Sequence, residues 1–313
     1  MTVPIGGALA AAARGPAGPT GQYRTLRQRL GRHRLAVASA GLLALIALLA
    51  LGEPLVAHWL GTDSEAQDLL NRMQGPTATH PLGTDDLGRD LLLRLLEGGR
   101  VSLGIGIVVA VAAAVIGTLI GLTAGYFGGA VDTVLMRITD GVIALPHLPL
   151  LIVLAAVDPT KLGLPTDWAQ SSMLSFWRIA AIIALVGWTT VARLVRGATL
   201  SVREREFVRA AVALGAAPRR IMFVHILPNV AGPIVVSTTL SVGGIILLES
   251  VLSFLGLGIQ PPMASWGNML TNAQDLIWSA PALAIWPGLM IFVTVICCNF
   301  LGDGLQDALD PRA

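Results

Sequence analysis

Long apolar stretches dominate this chain and limit what it can fold into. Five of them are uncharged or nearly so and approach or exceed the roughly 17 to 25 residues that a helix needs to cross a hydrocarbon core; they cover residues 35–51, 101–124, 141–157, 229–248 and 280–302. A sixth, 173–192, is interrupted only by Arg178. Because backbone amides in lipid must be paired within the segment, each run is expected to be a helix. The sequence therefore predicts an all-α polytopic membrane protein with six transmembrane helices.

The overall composition also indicates a lipid environment. Only 13% of the 313 residues are charged, against about a quarter in soluble domains, and the mean hydropathy is +0.72. The first apolar run is longer than the ~7 to 15 residues of a signal-peptide core, so we expect a retained transmembrane helix within residues 35–60. Residues 1–34 begin with small side chains and end with arginines, which predicts a disordered, basic segment. Cys297 and Cys298 are adjacent in the last run and are expected to be buried apolar side chains.

The distribution of arginines predicts how the helices are oriented, because cytoplasmic flanks collect basic residues. Arginines precede the first helix, so the N terminus is expected in the cytoplasm, whereas residues 61–100 contain more acids than bases and are expected outside. Six helices then return the C terminus to the cytoplasm. The densest later basic cluster also falls inside: Arg193, Arg196, Arg203, Arg205, Arg209, Arg219 and Arg220. A membrane flank explains this charge, and without interleaved aromatic residues we expect no nucleic-acid partner.

The sequence lacks the common catalytic motifs. A phosphate-binding loop of the form GxxxxGK[ST] needs a lysine before Ser or Thr, and the single lysine, Lys161, lies between Thr160 and Leu162. No HExxH metal motif and no GxSxG nucleophile motif occurs. We therefore expect a chain that is not an enzyme and that binds no metal.

One charged segment interrupts the apolar runs and has the pattern of two short helices. From Glu206 to Leu214, the residues Phe207, Ala210 or Ala211, and Leu214 are predicted to share one helix face. Gly215 is expected to end this helix in the left-handed conformation. Pro218 suits the start of a second short helix, which Leu227 and Pro228 are expected to end. The alternative is a membrane-surface helix without a partner.

The segment "RAAVALGAAPRRIMFVHILP" (209–228) resembles the EAA loop of permease subunits of ABC importers. The matching positions are Ala210, Ala211, Gly215, Leu227 and Pro228. The sequence departs from the pattern at Arg209, where the family usually has Glu, and at His225, where it often has Ile. We call residues 206–228 the EAA-like loop.

The resemblance extends over nearly the whole chain after residue 22, and the motifs are similar to the C-type permease of dipeptide, oligopeptide and nickel importers. They are "HPLGTDDLGRD" (80–90), "GYFGGAVDTVLMR" (125–137), "ARLVRG" (192–197), "LSFLGLGIQPP" (252–262), "SWGN" (265–268) and "LGDGLQDALDPR" (301–312). The family implies an importer core over residues 101–313, in a bacterial plasma membrane. It also implies a homologous B-type permease, two ATPase subunits that bind the ATP and Mg²⁺, and an extracytoplasmic substrate-binding protein; this chain itself is expected to bind lipid and no cofactor.

The resemblance implies that the EAA-like loop docks in a cleft of the ATPase and transmits its closure. The residues implied in this coupling are Glu206, Phe207, Arg209, Ala210, Ala211, Leu214, Gly215, Arg219, Arg220, His225, Leu227 and Pro228.

The external motif and two intramembrane acids are further candidates. The motif residues are His80, Gly83, Thr84, Asp85, Gly88, Arg89 and Asp90; Thr84 and Asp85 are expected to cap the following helix, and the glycines to form turns. An acid within a span is costly unless it faces a cavity or a partner, so Glu249 and Asp140 are pathway or interface candidates, with interfacial placement as the alternative. Glycine pairs give a weak signal of close helix contacts at Gly121 and Gly125, and at Gly243 and Gly244.

The function predicted from these observations is half of a translocation pathway, most simply for dipeptides or oligopeptides. Similar permeases carry nickel chelates, glutathione or antimicrobial peptides, so these cargoes are alternatives. A stand-alone secondary transporter would favour inverted repeats and intramembrane ionisable relays, neither of which is clear here. A membrane scaffold without transport activity is a third class.

Overall fold

The computed structural model describes residues 29–31, 33–163, 165–169, 171–271 and 273–309. Most of the predicted disordered segment 1–34 lies outside these residues. Within them the chain is helical, and the only extended pairing is an isolated bridge between Thr84 and Asp90. The all-α prediction is confirmed.

The described chain contains long helices, shorter surface helices and a few single turns. The helices of eight residues or more are α1 (Arg34–Leu51), α2 (Glu53–Leu60), α3 (Leu91–Phe127), α4 (Gly129–Ala144), α5 (His147–Ala155), α6 (Ser172–Arg203), α7 (Glu206–Ala213), α8 (Leu227–Phe254) and α9 (Ala282–Leu309). Four-residue helices occur at Thr166–Ala169 and Ala273–Leu276, and 3₁₀ turns at Leu69–Asn71, Pro159–Leu162 and Asn268–Leu270. A helical turn, Pro218–Arg220, and a π-helix, Ile221–Ile226, lead into α8.

Five helical segments are long and apolar enough to cross a membrane, and they correspond to five of the six predicted spans: α1, α3, α6, Pro218–Phe254 and α9. The remaining run, 141–157, was predicted as one helix, and this is wrong. The chain there forms α4 and α5, which bend by 82° at a short break. Leu145 has an extended backbone (φ −74°, ψ 139°) because the ring of Pro146 disfavours the helical conformation for the residue before it. The bent pair counts as a sixth span only if its two parts are taken together.

Two helices are much longer than the apolar runs that predicted them. α3 begins at Leu91 and has 37 residues, and α6 extends to Arg203 with 32. At 1.5 Å per residue α3 is about 55 Å long, compared with about 30 Å for a hydrocarbon core. Both helices therefore continue into the aqueous layers.

α3 and α6 form the most extensive helix contact of the described chain, and glycines bring them close together. A Cβ on Gly117 would lie 2.6 Å from the carbonyl oxygen of Trp188, and one on Gly121 would lie 2.6 Å from that of Ala192. Gly125 packs in the same way, with a Cβ position 2.7 Å from Thr199. Gly121 and Gly125 are thus confirmed as close contacts, and Gly117 extends the series by one turn. In the other predicted pair, Gly243 makes ordinary contacts and Gly244 has no neighbour within 4 Å.

Four clusters of buried apolar side chains hold the described helices together, the smallest being Ala113, Trp188 and Ala192 between α3 and α6. The central cluster joins α3, α5, α6 and α8. A second cluster lies where α3 and α6 end and includes Leu122, Val195, Val202, Val208 and Ile226. A third surrounds Trp266 near the other ends of α3 and α8, with contributions from α1 and α9. The second cluster contains the residues that support the EAA-like loop.

Candidate functional site

The EAA-like loop begins directly after α6 and contains the predicted turn. α7 spans Glu206–Ala213, Gly215 has φ +76°, and the next helical turn begins at Pro218. Nothing lies within 4 Å of a Cβ placed on Gly215, so the backbone angle alone requires glycine there. The helix-turn-helix and the left-handed glycine are confirmed.

The second helix of the loop does not end where it was expected to. Leu227 and Pro228 were predicted to bound it, but the π-helix Ile221–Ile226 passes straight into α8, and that prediction is wrong. Proline inside a helix removes a donor and crowds the carbonyl one turn earlier. A π-turn before it changes the hydrogen-bond spacing, so the chain accommodates Pro228 without a break. The loop is therefore continuous with a membrane helix.

One face of α7 is buried against the π-helix Ile221–Ile226 and the end of α6. Val208 is 1% exposed and Ala211 is 9% exposed, and Val208 belongs to the cluster with Val202 and Ile221. The predicted face of Phe207, Ala210 or Ala211, and Leu214 is confirmed with Ala210, which is exposed as Phe207 (40%) and Leu214 (88%) are, and Ala211 lies on the buried side instead. Val208 was missed: it is the large apolar residue one turn before Ala211, and these two side chains form the inward face.

Five large apolar side chains of the loop are exposed on this chain. These residues are Phe207, Val212, Leu214, Phe223 and Val224. They come from α7, from the residue after it and from the π-helix, which the Gly215 turn joins. An exposed apolar patch on a rigid support is typical of an interaction site.

Arginines of α6 tie the same end of the chain together. Arg196 binds Asp132 of α4 through two hydrogen bonds of 2.5 and 2.6 Å. Arg203 donates to the carbonyl oxygens of Gly125 and Tyr126, at 3.3 and 2.9 Å, and so pairs acceptors in the last turn of α3.

Asp140 is also held by an arginine. Its Oδ1 atom accepts a 2.5 Å hydrogen bond from Arg193. Both side chains are about half exposed, at 51% and 50%. The pathway or interface candidate Asp140 therefore has an ion-pair partner within this chain.

The arginines in and directly before the loop have no such partners. Within the part of the chain that the structure describes, the side chains of four exposed arginines form no hydrogen bond or ion pair: Arg205, Arg209, Arg219 and Arg220. Glu206 and Ala210 are also exposed. His225 is half-buried, and its carbonyl oxygen accepts a 2.7 Å hydrogen bond from Asn229.

The external motif forms a compact turn before α3, and its cap differs from the prediction. Asp90 caps α3, with Oδ1 accepting from the Leu93 amide at 2.8 Å and Oδ2 lying 2.8 Å from Nδ1 of His80. Thr84 and Asp85 were expected to cap the helix, and this is wrong. Thr84 accepts from the Gln74 amide instead, which folds the preceding segment back onto the motif.

Asp85 and the two glycines complete this turn. Asp85 accepts from the amides of Leu87 and Arg89, each at 2.9 Å, and forms an ion pair with Arg89 at 2.7 Å. Gly83 and Gly88 have φ of +87° and +77°, so the predicted turns are confirmed. No group of His, Cys, Asp or Glu side chains able to hold a metal occurs among the described residues.

Glu249 is fully enclosed within the chain, at 0% exposure. Its carboxyl oxygens accept from the hydroxyls of Ser102 (3.2 Å) and Ser253 (2.7 Å). Those hydroxyls accept in turn from the amides of Trp266 and Ile259, each at 3.1 Å. Glu249 therefore faces neither solvent nor a surface in this chain, so neither interfacial placement nor exposure to a pathway describes it. The serine partners were missed because they come from another helix and from one turn further along α8.

A second buried carboxyl supports the segment that contains Ile259 and Trp266. Oε1 of Glu97 accepts from the Ala264 amide at 3.2 Å, and the indole of Trp266 donates to the Leu95 carbonyl oxygen at 2.9 Å. The sequence "SWGN" thus lies against α3 and α8. Beside it a cavity of about 640 Å³ opens between this segment and the external motif, lined in part by Asp86, Arg94, Gln260 and Asn268.

Comparison with known proteins connects this architecture to one family. Residues 117–313 match the family described as binding-protein-dependent transport system inner membrane component. The chain belongs to this permease family. Residues 21–76 also match the N-terminal transmembrane domain of oligopeptide transport permease C.

Curated relatives of this permease cover most of its length. It is 38% identical over 290 residues to the dipeptide transport system permease protein of Alkalihalophilus pseudofirmus, covering 93% of this chain and 90% of the relative. It is 39% identical over 311 residues to the oligopeptide transport system permease protein of Escherichia coli K12, covering 93% and 91%. It is 37% identical over 259 residues to the glutathione transport system permease protein of Pectobacterium atrosepticum, covering 83% and 74%.

The family fixes the general role of the chain. It is a multi-pass, inner-membrane permease subunit of an ABC transport system, and such subunits are not catalytic. The prediction of a non-enzymatic transport subunit is confirmed by these relatives.

Proposed function

We propose that this permease forms half of the pathway of an ATP-driven importer for peptides and that its EAA-like loop couples the pathway to ATP hydrolysis. The observation that carries the proposal is the exposed apolar and basic surface of this loop, which packs through Val208 and Ala211 on the π-helix and the end of α6. A rigidly supported surface can transmit a movement, whereas a loosely attached one would absorb it.

Peptide cargo is supported by the names of the relatives. These proteins are named for dipeptide, oligopeptide and glutathione transport, and glutathione is itself a short peptide. Nickel chelates and antimicrobial peptides remain the family's other cargo classes.

The partners follow from the same proposal. ATP and Mg²⁺ are bound by two ATPase subunits at the cytoplasmic side, and a homologous B-type permease supplies the other half of the pathway. The N and C termini lie in the cytoplasm, which puts the EAA-like loop on the ATPase side. The external motif and the neighbouring cavity then face the extracytoplasmic binding protein.

The central test changes the turn of the loop in the assembled transporter, reconstituted in liposomes with its ATPases and binding protein. Gly215→Val forces a β-branched residue into φ +76° and costs on the order of 1 to 2 kcal/mol in strain. We expect cargo-stimulated ATP hydrolysis and uptake to fall severalfold, while cargo binding to the separate binding protein is unchanged. Gly197→Val is the matched control, because Gly197 is exposed on α6, has no neighbour within 4 Å and lacks a positive φ. Wild-type stimulation in Gly215→Val would reject the loop as the coupling element.

A further inference from the structure

The arginines at this end of the permease fall into two groups. In α6, three arginines each bind an acid or a carbonyl oxygen of this chain. The four that follow are exposed, and their side chains have no partner among the residues the structure describes: Arg205, Arg209, Arg219 and Arg220. The first group stabilises the chain, and the second group does not.

The positions of the unpaired arginines are unfavourable for an isolated chain. Arg205 is the residue before α7, where a side-chain acceptor is preferred, and it makes no capping bond. Arg219 and Arg220 lie in the first turn of the helix that begins at Pro218, where the backbone already carries partial positive charge. Two exposed acids lie near these four cations: Glu206, and Glu204, which already pairs with Arg203 at 3.3 Å. The surface therefore has an excess of positive charge that nothing in the described chain neutralises.

Apolar side chains are interleaved with these arginines. Leu214 is almost fully exposed beside the Gly215 turn, and Phe207 and Phe223 are about half exposed. Protein interfaces combine an apolar centre with a polar rim and are enriched in aromatic residues and arginine. The arrangement matches one half of such an interface.

We infer that this loop fits an apolar groove with an acidic rim on the ATPase subunits, with carboxylates opposite Arg209 and the Arg219–Arg220 pair. This inference rests on the proposed coupling function and adds the charge of the partner surface. It also accounts for Arg209, which has the sign opposite to the Glu usual in similar loops. The receiving groove carries the complementary, negative charge at that position.

A protein groove fits the geometry better than anionic lipid does. A helix that lies on a membrane turns its apolar face to the acyl chains and its basic face to the headgroups. In α7 the inward face, Val208 and Ala211, is already covered by this chain. The exposed side mixes arginines with Leu214, and a layer of headgroups would leave that side chain in water.

The test measures binding of the ATPase subunits to the permease complex in nanodiscs of phosphatidylcholine, at low and high salt. Arg209→Glu and Arg219→Glu should each weaken binding severalfold at low salt and together by about ten-fold, because like charges then face each other. High salt screens exposed charges, so it should remove most of this difference. Arg209→Gln should weaken binding less than Arg209→Glu does, and its binding should depend less on salt than that of the wild type. Arg137→Glu is the matched control, since Arg137 is exposed on α4, outside the loop, and should bind as the wild type does.

The outcomes separate this inference from the proposed function. Wild-type affinity in the charge-reversed variants, together with weakened binding in Leu214→Asn, would overturn the acidic groove and leave the coupling loop in place. Wild-type affinity in the charge-reversed variants and in Leu214→Asn would overturn both the acidic groove and the coupling role of the loop. A loss that occurs only when phosphatidylglycerol is added to the nanodisc would assign the arginines to lipid and also overturn the inference. A loss in phosphatidylcholine alone, absent in Arg137→Glu, supports it.

Discussion

The carboxyl group of Glu249 accepts a 3.2 Å hydrogen bond from the hydroxyl of Ser102, 147 residues away in the sequence. Glu249 also accepts from the hydroxyl of Ser253. Each of the two serine oxygens in turn accepts a hydrogen bond from a backbone amide, that of Trp266 for Ser102 and that of Ile259 for Ser253. Glu249 therefore positions the segment that contains Ile259 and Trp266 indirectly, through the two serine hydroxyls, and forms no hydrogen bond to those two amides itself.

Replacing Glu249 should reveal this role through stability. Glu249→Leu leaves two buried hydroxyls without their acceptor, which costs about 1 to 3 kcal/mol for each unsatisfied group. We expect a lower thermal midpoint of the purified permease, with a smaller loss for Glu249→Gln because the amide keeps one acceptor oxygen. Glu206→Gln, an exposed acid without a partner, is the control. A midpoint for Glu249→Leu at or above the wild-type value would contradict this positioning role of Glu249.

A methyl group between α3 and α6 should destabilise the permease. In Gly121→Ala the new Cβ would lie 2.6 Å from the backbone oxygen of Ala192, so the helices must separate. Overpacking of this kind costs about 1 to 3 kcal/mol. In Gly244→Ala the Cβ has no neighbour within 4 Å, and alanine favours a helix by about 1 kcal/mol. In detergent, the thermal midpoint should therefore fall in Gly121→Ala and rise in Gly244→Ala. Equal shifts in the two variants would show that the close contact at Gly121 does not determine stability.

The ion pair between α4 and α6 can be measured with a double-mutant cycle. Arg196 and Asp132 form a two-bond pair and are partly exposed, at 34% and 17%. Solvent screening reduces such pairs to about 1 kcal/mol. We expect a coupling of that size between Arg196→Ala and Asp132→Ala, measured by thermal unfolding, and a smaller coupling at high salt. Additive effects of the two substitutions would mean that the pair contributes nothing to stability.

The orientation can be tested with single cysteines in a background where Cys297 and Cys298 are replaced. Thr79 is exposed before the external motif and Arg220 is exposed in the EAA-like loop. Thr79→Cys should react with a membrane-impermeant thiol reagent added to intact cells, and Arg220→Cys should react only after permeabilisation. Labelling of Arg220→Cys in intact cells would reverse the proposed topology.

The features that the sequence predicted well are those that depend on local chemistry. Apolar runs of membrane length became helices, and the glycine at 215 took the left-handed conformation that its neighbours cannot adopt easily. The break before Pro146 is also local, and its signal was present in the run that was interpreted as one helix.

Other features depend on which distant residues meet, and local patterns do not contain that information. Both sides of α7 carry large apolar side chains, so the pattern alone does not tell whether Val208 or Phe207 faces inward. Asp90 caps α3 because the preceding turn uses Thr84 and Asp85 for its own hydrogen bonds. The partners of Glu249 come from α3 and from α8 itself, and only the packed helices bring them together.

The uninterrupted course of α3 has a mechanical consequence. Asp90 fixes its first turn and Arg203 binds carbonyl oxygens of its last turn, so both ends of a rod about 55 Å long are fastened. The glycine series sets α6 against it in steps of a whole turn, which opposes gradual sliding between the two helices. Because this helix has no break, a tilt at one of its ends is transmitted to the other end. The 82° bend between α4 and α5 interrupts such transmission between those two helices.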